Sequence, residues 1–205
     1  MRKTTIIEMN RLTVEEFHKA EKMPLVVVLD DVRSLYNVGS VFRTADAFRI
    51  EAIYLCGITA TPEQVIADDG MVTRDCTMKA AQEIHKTALG AEESVSWRYF
   101  KTAQEAVEKL KNDGFTVFAV EQAHGSVMLG DFKPSWQNGE VKERYAVVLG
   151  NEVKGVHQEV VDICHGCLEI PQYGTKHSLN VSVTGGIIIW HFASTMTTHA
   201  ISNDK

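Results

Sequence analysis

Two runs constrain this chain more than anything else in it: LVVVL at residues 25–29 and YAVVL at residues 145–149. Unbroken, β-branched apolar residues leave a strand no polar face to turn to water, so each strand must be covered on both sides, the condition of a parallel sheet between helices. Shorter runs at 52–55, 95–100 (with Trp97), Phe115–Val120 and 168–170 repeat the signal. Helical patterns separate them: Met78–Ala88 closed by Gly90, 104–111 ended by Gly114, 156–164, and an apolar stretch from Val181 onward. The alternation predicts an α/β fold with a mostly parallel sheet and helices on both faces.

A chain of 205 residues with 44% hydrophobic content buries a core of one globular domain. Residues 1–24 read as an N-terminal arm, with Thr13 and Glu16 in capping-box spacing, and residues 25–205 as the main domain. Arg2, Lys3, Arg11, Lys19 and Lys22 of the arm either touch a polyanion or share a solvated face with Glu8, Glu15, Glu16 and Glu21. The net charge of −6 gives no global sign of nucleic-acid binding, so such a partner must meet a local patch. The N-terminus lacks the apolar run of a signal peptide and no window is long enough to span a bilayer, which predicts a cytoplasmic protein without a membrane partner. The four cysteines, Cys56, Cys76, Cys164 and Cys167, do not form a disulfide framework. Cys164 and Cys167 have metal-knuckle spacing without a second pair, so core positions are expected for them and no metal.

Three polar loops sit where apolar elements end. Residues 37–40 (NVGS) run into a helical pattern in which Val41, Ala45 and Phe48 share a face, and Arg43 falls in what reads as its first turns. A cation there opposes the helix dipole, so local stability does not account for it; pairing with Asp46 or Asp30 is the alternative to a functional role. Residues 150–155 (GNEVKG) follow the YAVVL strand. Pro171 ends the strand at 168–170, and the loop behind it carries Gly174, Lys176, His177, Ser178 and Asn180. An excursion rich in loop residues occupies 122–142.

The motifs Asn37, Val38, Gly39 with Arg43, Thr44, Ala45, Asp46; Leu149, Gly150, Asn151, Glu152; and Ile170, Pro171 with 178–183 (SLNVSV) resemble, in order and spacing, those of the SpoU (TrmH-like) RNA 2′-O-ribose methyltransferases of the SPOUT superfamily. The resemblance runs from about Leu25 to Phe192. It implies a deep C-terminal trefoil knot, otherwise nearly absent from proteins. It further implies S-adenosylmethionine bound in that knot, an RNA substrate in tRNA or rRNA, and a homodimer in which the catalytic Arg faces the partner's cofactor. Arg43 matches that Arg, Asn37 its companion, Glu152 the acid of the second motif, and Ser178 and Asn180 the polar pair of the third. Leu149, Gly150, Ile170, Pro171 and Leu179 match positions that hold the cofactor, and Leu55, Cys56 and Gly57 are expected in the same pocket. Arg33, Arg49, Lys154 and Lys176 are the candidate RNA contacts. Arg49 stands where many relatives have Gly, and Gln172 where Met is common. Grip on RNA is expected from the arm, the catalytic face or the dimer, not from a preceding RNA-binding domain.

The residue types suit the chemistry. Attack of a ribose hydroxyl on a sulfonium methyl needs alignment and a place for a proton, and no metal. A guanidinium orients the hydroxyl and stabilises developing negative charge but rarely gives up its own proton. That leaves the acceptor open, with a substrate phosphate or water as options. Glu152 either anchors Arg43 or braces its loop. Two other readings share the scaffold: a catalytically silent RNA-binding or assembly protein, and a methyltransferase acting on an RNA base.

Overall fold

The computed structural model describes residues 1–5, 7–67, 71–137, 140–141 and 143–196. The two constraining runs lie side by side at its centre. Strand β1 (Met23–Asp30) pairs parallel with β10 (Arg144–Leu149), Leu25 opposite Tyr145 and Leu29 opposite Leu149, and every residue of β1 is buried. Around them β2 (Ile50–Cys56), β5 (Trp97–Phe100), β6 (Phe115–Val120), β7 (Val127–Met128) and β11 (Gly166–Glu169) complete a seven-stranded parallel sheet in the order β5-β2-β1-β10-β6-β11-β7. Two small antiparallel pairs stand outside it, β3 (Val65–Ile66) with β4 (Val72–Arg74) and β8 (Trp136–Gln137) with β9 (Glu140–Val141).

The alternating side chains of β1 divide the core in two. Leu25, Val27 and Leu29 face α1 (Val14–Lys19), α2 (Leu35–Ala47), α3 (Met78–Ala88), α4 (Ala91–Ser94) and α7 (Val181–Thr195). Val26 and Val28 face α5 (Ala103–Asn112) and α6 (Gln158–Ile163). Helix α7 buries Val181, Gly185, Ile188, Ile189 and Phe192, the spacing of one helical face, and leaves Val183 and Trp190 in solvent. Gly185 brings it close: a Cβ there would lie 3.2 Å from Leu149 Cδ1.

Several boundaries differ from the sequence reading. The capping box holds, Thr13 N donating to Glu16 Oε2 at 2.8 Å and Glu16 N to Thr13 Oγ1 at 3.2 Å, and it delivers Phe17 into the core. Lys19 pairs with Glu15, and Lys22 donates to the carbonyls of Phe17 and Ala20, so these two cations of the arm have partners within the chain. β1 begins at Met23, inside the stretch read as arm. Helix α3 ends on Leu89, itself left-handed at φ 54°, with Gly90 opening α4. β11 starts two residues before its expected span and ends one residue short of it, leaving Ile170 beyond the strand, and α6 is only six residues long. The excursion at 122–142 carries β7, β8 and β9, its residues 138, 139 and 142 lying outside the described set.

The largest correction concerns α2. Ser34, not a residue near Val41, caps it: the Ser34 side chain accepts from Asn37 N. Arg43 is therefore in the third turn, where the dipole no longer opposes a cation. At that depth in α2 the helix dipole gives Arg43 no special role.

Candidate active site

Along the chain the strands move outward from β1 to β2 and β5, then return on the far side of β10. This reversal makes a switch point at the carboxyl ends of β1 and β10, where open α/β sheets bind ligands. The three motif loops meet there. The loop after β10 folds back on itself, Asn151 N donating to Gly155 O at 3.0 Å and Gly155 N to Asn151 O at 2.9 Å. A Cβ on Gly150 would fall 2.0 Å from the carbonyl carbon of Gly155, so only glycine allows this closure. Asn151 Nδ2 donates to Asp31 O at 2.7 Å and ties the loop to the end of β1.

Glu152 completes the tie. Its Oε2 accepts from Arg33 N at 3.0 Å, and its Oε1 from Ser34 N at 2.9 Å and Asn37 Nδ2 at 3.0 Å. Two of these donors belong to the start of α2, whose positive end suits a carboxylate. Burial pushes the Glu152 carboxyl up, but the hydrogen bonds from Arg33, Ser34, its own N–H and Asn37 outweigh it and hold the carboxyl below its usual range. Asn37 Oδ1 in turn accepts from Asn180 Nδ2 at 3.1 Å, while Asn180 Oδ1 caps α7 by accepting from Ser182 N and Val183 N. Glu152 thus braces the motif loops, and within one chain it makes no contact with Arg43.

Beside this network is a cavity of about 280 Å³ lined by Leu149, Gly150, Ile170, Leu179, Ser178 and His177, with Glu121, Gln122 and Glu152 among its polar groups. The volume lies near the lower end of ordinary small-ligand sites, about 300–1,000 Å³. Apolar side chains with backbone and carboxylate groups between them suit a ligand that is part heterocycle, part charged chain.

The structure brings together Asn37, Glu152, Asn180, Ser178, Leu149, Gly150, Ile170 and Leu179, with Pro171 between Ile170 and Gln172, which also lines the cavity. Arg33, Lys154 and Lys176 lie on the exposed rim loops. It does not bring in Leu55, Cys56 and Gly57: they end β2, with β1 between them and β10, and Leu55 and Cys56 are fully buried in the two cores. Gly57, at φ 61°, packs on the Asp31 carboxylate instead. Arg49 is at the opposite end of the sheet, its carbonyl accepting from Met23 N at the start of β1. Arg43 is exposed and has no hydrogen bond or ion pair among the described residues, so neither Asp46 nor Asp30 holds it. Nine residues separate it from Ser34, about 13 Å along a helix.

Sequence reasoning missed one cluster. Asp30, almost fully buried, accepts at Oδ2 from His157 N at 3.1 Å and pairs with His157 Nδ1 at 2.9 Å, with Asp31 beside them. These polar atoms lie within 4.8 Å of one another, and the internal hydrogen bonds account for them. No pattern in sequence links positions 30 and 157. Cys164 and Cys167 join no such group among the described residues; burial pushes the Cys164 thiol up to about 12. A wider open cleft of about 1,430 Å³ runs along edge strand β5, and none of the motif residues lines it.

A parallel α/β sheet whose ligand crevice is closed by three loops at a switch point defines a class of cofactor-binding α/β proteins. Within that class the chain belongs to the SpoU rRNA Methylase family, whose model matches residues 64–190. It is 27% identical over 188 residues to a tRNA (guanosine(18)-2′-O)-methyltransferase of Aquifex aeolicus, covering 90% of this chain and 76% of that protein. An uncharacterized tRNA/rRNA methyltransferase of Borreliella burgdorferi is 28% identical over 180 residues, and there the chain spans 66% of the relative's length. Among solved structures, the A. aeolicus TrmH/SpoU tRNA modifying enzyme superposes with a TM-score of 0.66 at 25% identity, covering 89% of this chain and 79% of that one. An AdoMet-bound rRNA methyltransferase of Sinorhizobium meliloti shares the fold at a TM-score of 0.67 and 21% identity, over 88% of this chain and 60% of its own. Among the described residues no helix is long and apolar enough to cross a membrane.

Proposed function

We propose that this protein is an S-adenosylmethionine-dependent methyltransferase acting on a ribose 2′-hydroxyl of tRNA or rRNA, working as a cytoplasmic homodimer with its C-terminal segment threaded as a trefoil knot. The observation that carries the reading is the hydrogen-bonded closure of three motif loops, Glu152 to Asn37 to Asn180, around one cavity at the switch point.

The cavity fits the cofactor: Leu149, Ile170 and Leu179 offer apolar walls, and Gly150 leaves the backbone open to close approach. When bound there, the cofactor supplies an electrophilic methyl group on a sulfonium. The protein's own part is positioning. Asn37 and Glu152 fix the start of α2, Asn180 fixes the start of α7, and Ser178 presents a short hydroxyl at the cavity wall. Arg43 serves a cavity other than its own, since it lies about 13 Å down α2 from the loops. Its free, exposed guanidinium then meets a partner's cavity, and the exposed Val183 and Trp190 of α7 supply apolar area for the contact. Arg33, Lys154 and Lys176 meet phosphates, the solvated positions such contacts need.

Purified protein incubated with S-adenosylmethionine and unmodified tRNA and rRNA is expected to yield ribose-methylated nucleotides. Base methylation alone overturns the ribose assignment. RNA binding with no heat of cofactor binding in calorimetry overturns catalysis in favour of a silent RNA-binding protein.

A further inference from the structure

We propose that His177 is the proton acceptor for the attacking 2′-hydroxyl. The inference rests on the function proposed above and supplies what that reading lacks, since Arg43 as a permanent cation has no site for a proton. His177 lines the cavity immediately before Ser178. Its backbone is held in place: Gln122 Nε2, from the loop after β6, donates to His177 O at 2.6 Å. Its side chain is exposed and has no partner among the described residues, so the imidazole is free to receive a proton.

The other charged groups around it are less suited. Glu152 spends both carboxylate oxygens on Arg33 N, Ser34 N and Asn37 Nδ2. Glu121, at the end of β6, accepts from Gln122 N at 3.1 Å, and a carboxylate is a weaker base than imidazole. Lys154 in the loop after β10 and Lys176 on His177's own loop are cations, and α7 contributes only Val181 and Thr184 to the cavity wall. Among the described residues His177 is the one imidazole lining the cavity, and a neutral ring offers one nitrogen as an acceptor.

The step balances. The O2′–H bond breaks and its proton passes to an imidazole nitrogen. The oxygen forms a bond to the methyl carbon as the S–C bond breaks, sulfur keeping the electron pair as a neutral thioether. The imidazolium then returns its proton to water.

Single-turnover methyl transfer to a pool of unmodified tRNA transcripts, followed from about pH 5.5 to 8.5, tests this with wild type, His177→Gln and His177→Ala. The wild-type rate is expected to rise with pH along a limb matching the His177 imidazole titration read separately by NMR, because only the neutral ring accepts a proton. His177→Gln should lose that limb and about 100-fold or more in rate, with S-adenosylmethionine affinity by calorimetry unchanged. An unaltered rate and pH profile in His177→Gln overturns the proposal, as does an NMR titration that misses the kinetic limb. Loss of cofactor binding in both variants overturns it too, by making His177 a binding residue. If wild type methylates no ribose, the underlying reading fails and this inference with it. A methylating wild type beside an unaffected variant sinks only the role of His177.

Discussion

Asn180 Nδ2 donates to Asn37 Oδ1 at 3.1 Å across 143 positions of chain, and the same Asn37 donates through Nδ2 to Glu152 Oε1 at 3.0 Å. One amide therefore uses its acceptor toward the third motif and its donor toward the second. Its orientation is dictated, because a flipped Asn37 would set oxygen against the carboxylate. Replacing Asn37 with Ala should cost about 1–3 kcal/mol, the penalty for leaving partly buried partners unmade. Asn37→Asp should cost more than Ala, since it puts a second carboxylate beside Glu152. Denaturant unfolding of both variants checks the order, and equal losses would mean the amide does not link the motifs.

Glu152 sets an acid limit on this arrangement. Its folded carboxyl lies below its usual range, so the ionised form is favoured by folding. That contribution is present above the unfolded-state value, about 4.3, and is lost as pH falls through the depressed folded value. Glu152→Gln is therefore expected to flatten the acid limb of a stability–pH curve measured by thermal unfolding, while lowering stability at neutral pH. An acid limb of the same steepness in wild type and variant would assign the dependence to other carboxylates.

How much of this was legible in sequence depends on the range of the interaction. The LVVVL and YAVVL runs disclosed a doubly covered sheet because burial is written into every residue of a central strand, and their pairing in register bears that out. Resemblance placed the three motifs, and the structure adds which atoms join them. The start of α2 was misread because its signal is a single cap, Ser34, followed by Leu35 and Tyr36, weaker than the apolar period of Val41, Ala45 and Phe48. Leu55, Cys56 and Gly57, at the carboxyl end of a strand, were expected in the pocket beside the positions the resemblance supplied, and as a rule ligands of open α/β sheets gather at such ends. That rule does not say which strands flank the switch point, and this is fixed by β10 entering beside β1. The Asp30–His157 pair joins residues 127 apart and leaves no local trace.

Arg43 offers a separation of stability from function. It is exposed and unpaired among the described residues, and surface changes of that kind usually shift stability by no more than about 0.5 kcal/mol. Arg43→Ala should thus unfold near wild type and bind S-adenosylmethionine normally, yet lose about 100-fold or more of ribose methylation if the guanidinium stabilises developing charge. Arg43→Lys should recover little, because an ammonium lacks the planar fork. Full activity in Arg43→Ala would remove the residue from the site.

Gly39 tests the packing that aims α2. A Cβ there would fall 2.2 Å from Thr87 Oγ1 and 2.3 Å from Ile84 O, and the second of these is backbone that cannot rotate away. Gly39→Ala should push α2 off α3 at a cost of about 1–3 kcal/mol, against the usual gain from replacing a helical glycine. The measured sign of the change decides: stabilisation would show that the two helices are not in that close register.

Arg49 carries strain that can be released. It follows the end of α2 with φ 48°, in the left-handed region, its N–H donating to Asp46 O at 3.0 Å and its carbonyl accepting from Met23 N at 2.8 Å. The helix exit has therefore kept the conformation that glycine adopts freely, at a cost of about 1–2 kcal/mol for a side chain with a Cβ. Desolvation and the nearby Arg49 charge both push the Lys22 ammonium below its usual value, so a like-charge repulsion adds to the strain. Against this stands the greater unfolded-state freedom of glycine, about 0.5–1 kcal/mol. Arg49→Gly should therefore be stabilised by up to about 1 kcal/mol, a rise of about 2–4 °C in Tm for a chain of this size. Arg49→Ala separates the two causes: it removes the charge but keeps the Cβ. If strain dominates, Ala should gain little and Gly nearly all. Equal gains would make the repulsion from Lys22 the larger effect, and a loss in Arg49→Gly would mean that the side chain packs more favourably than its backbone angle costs.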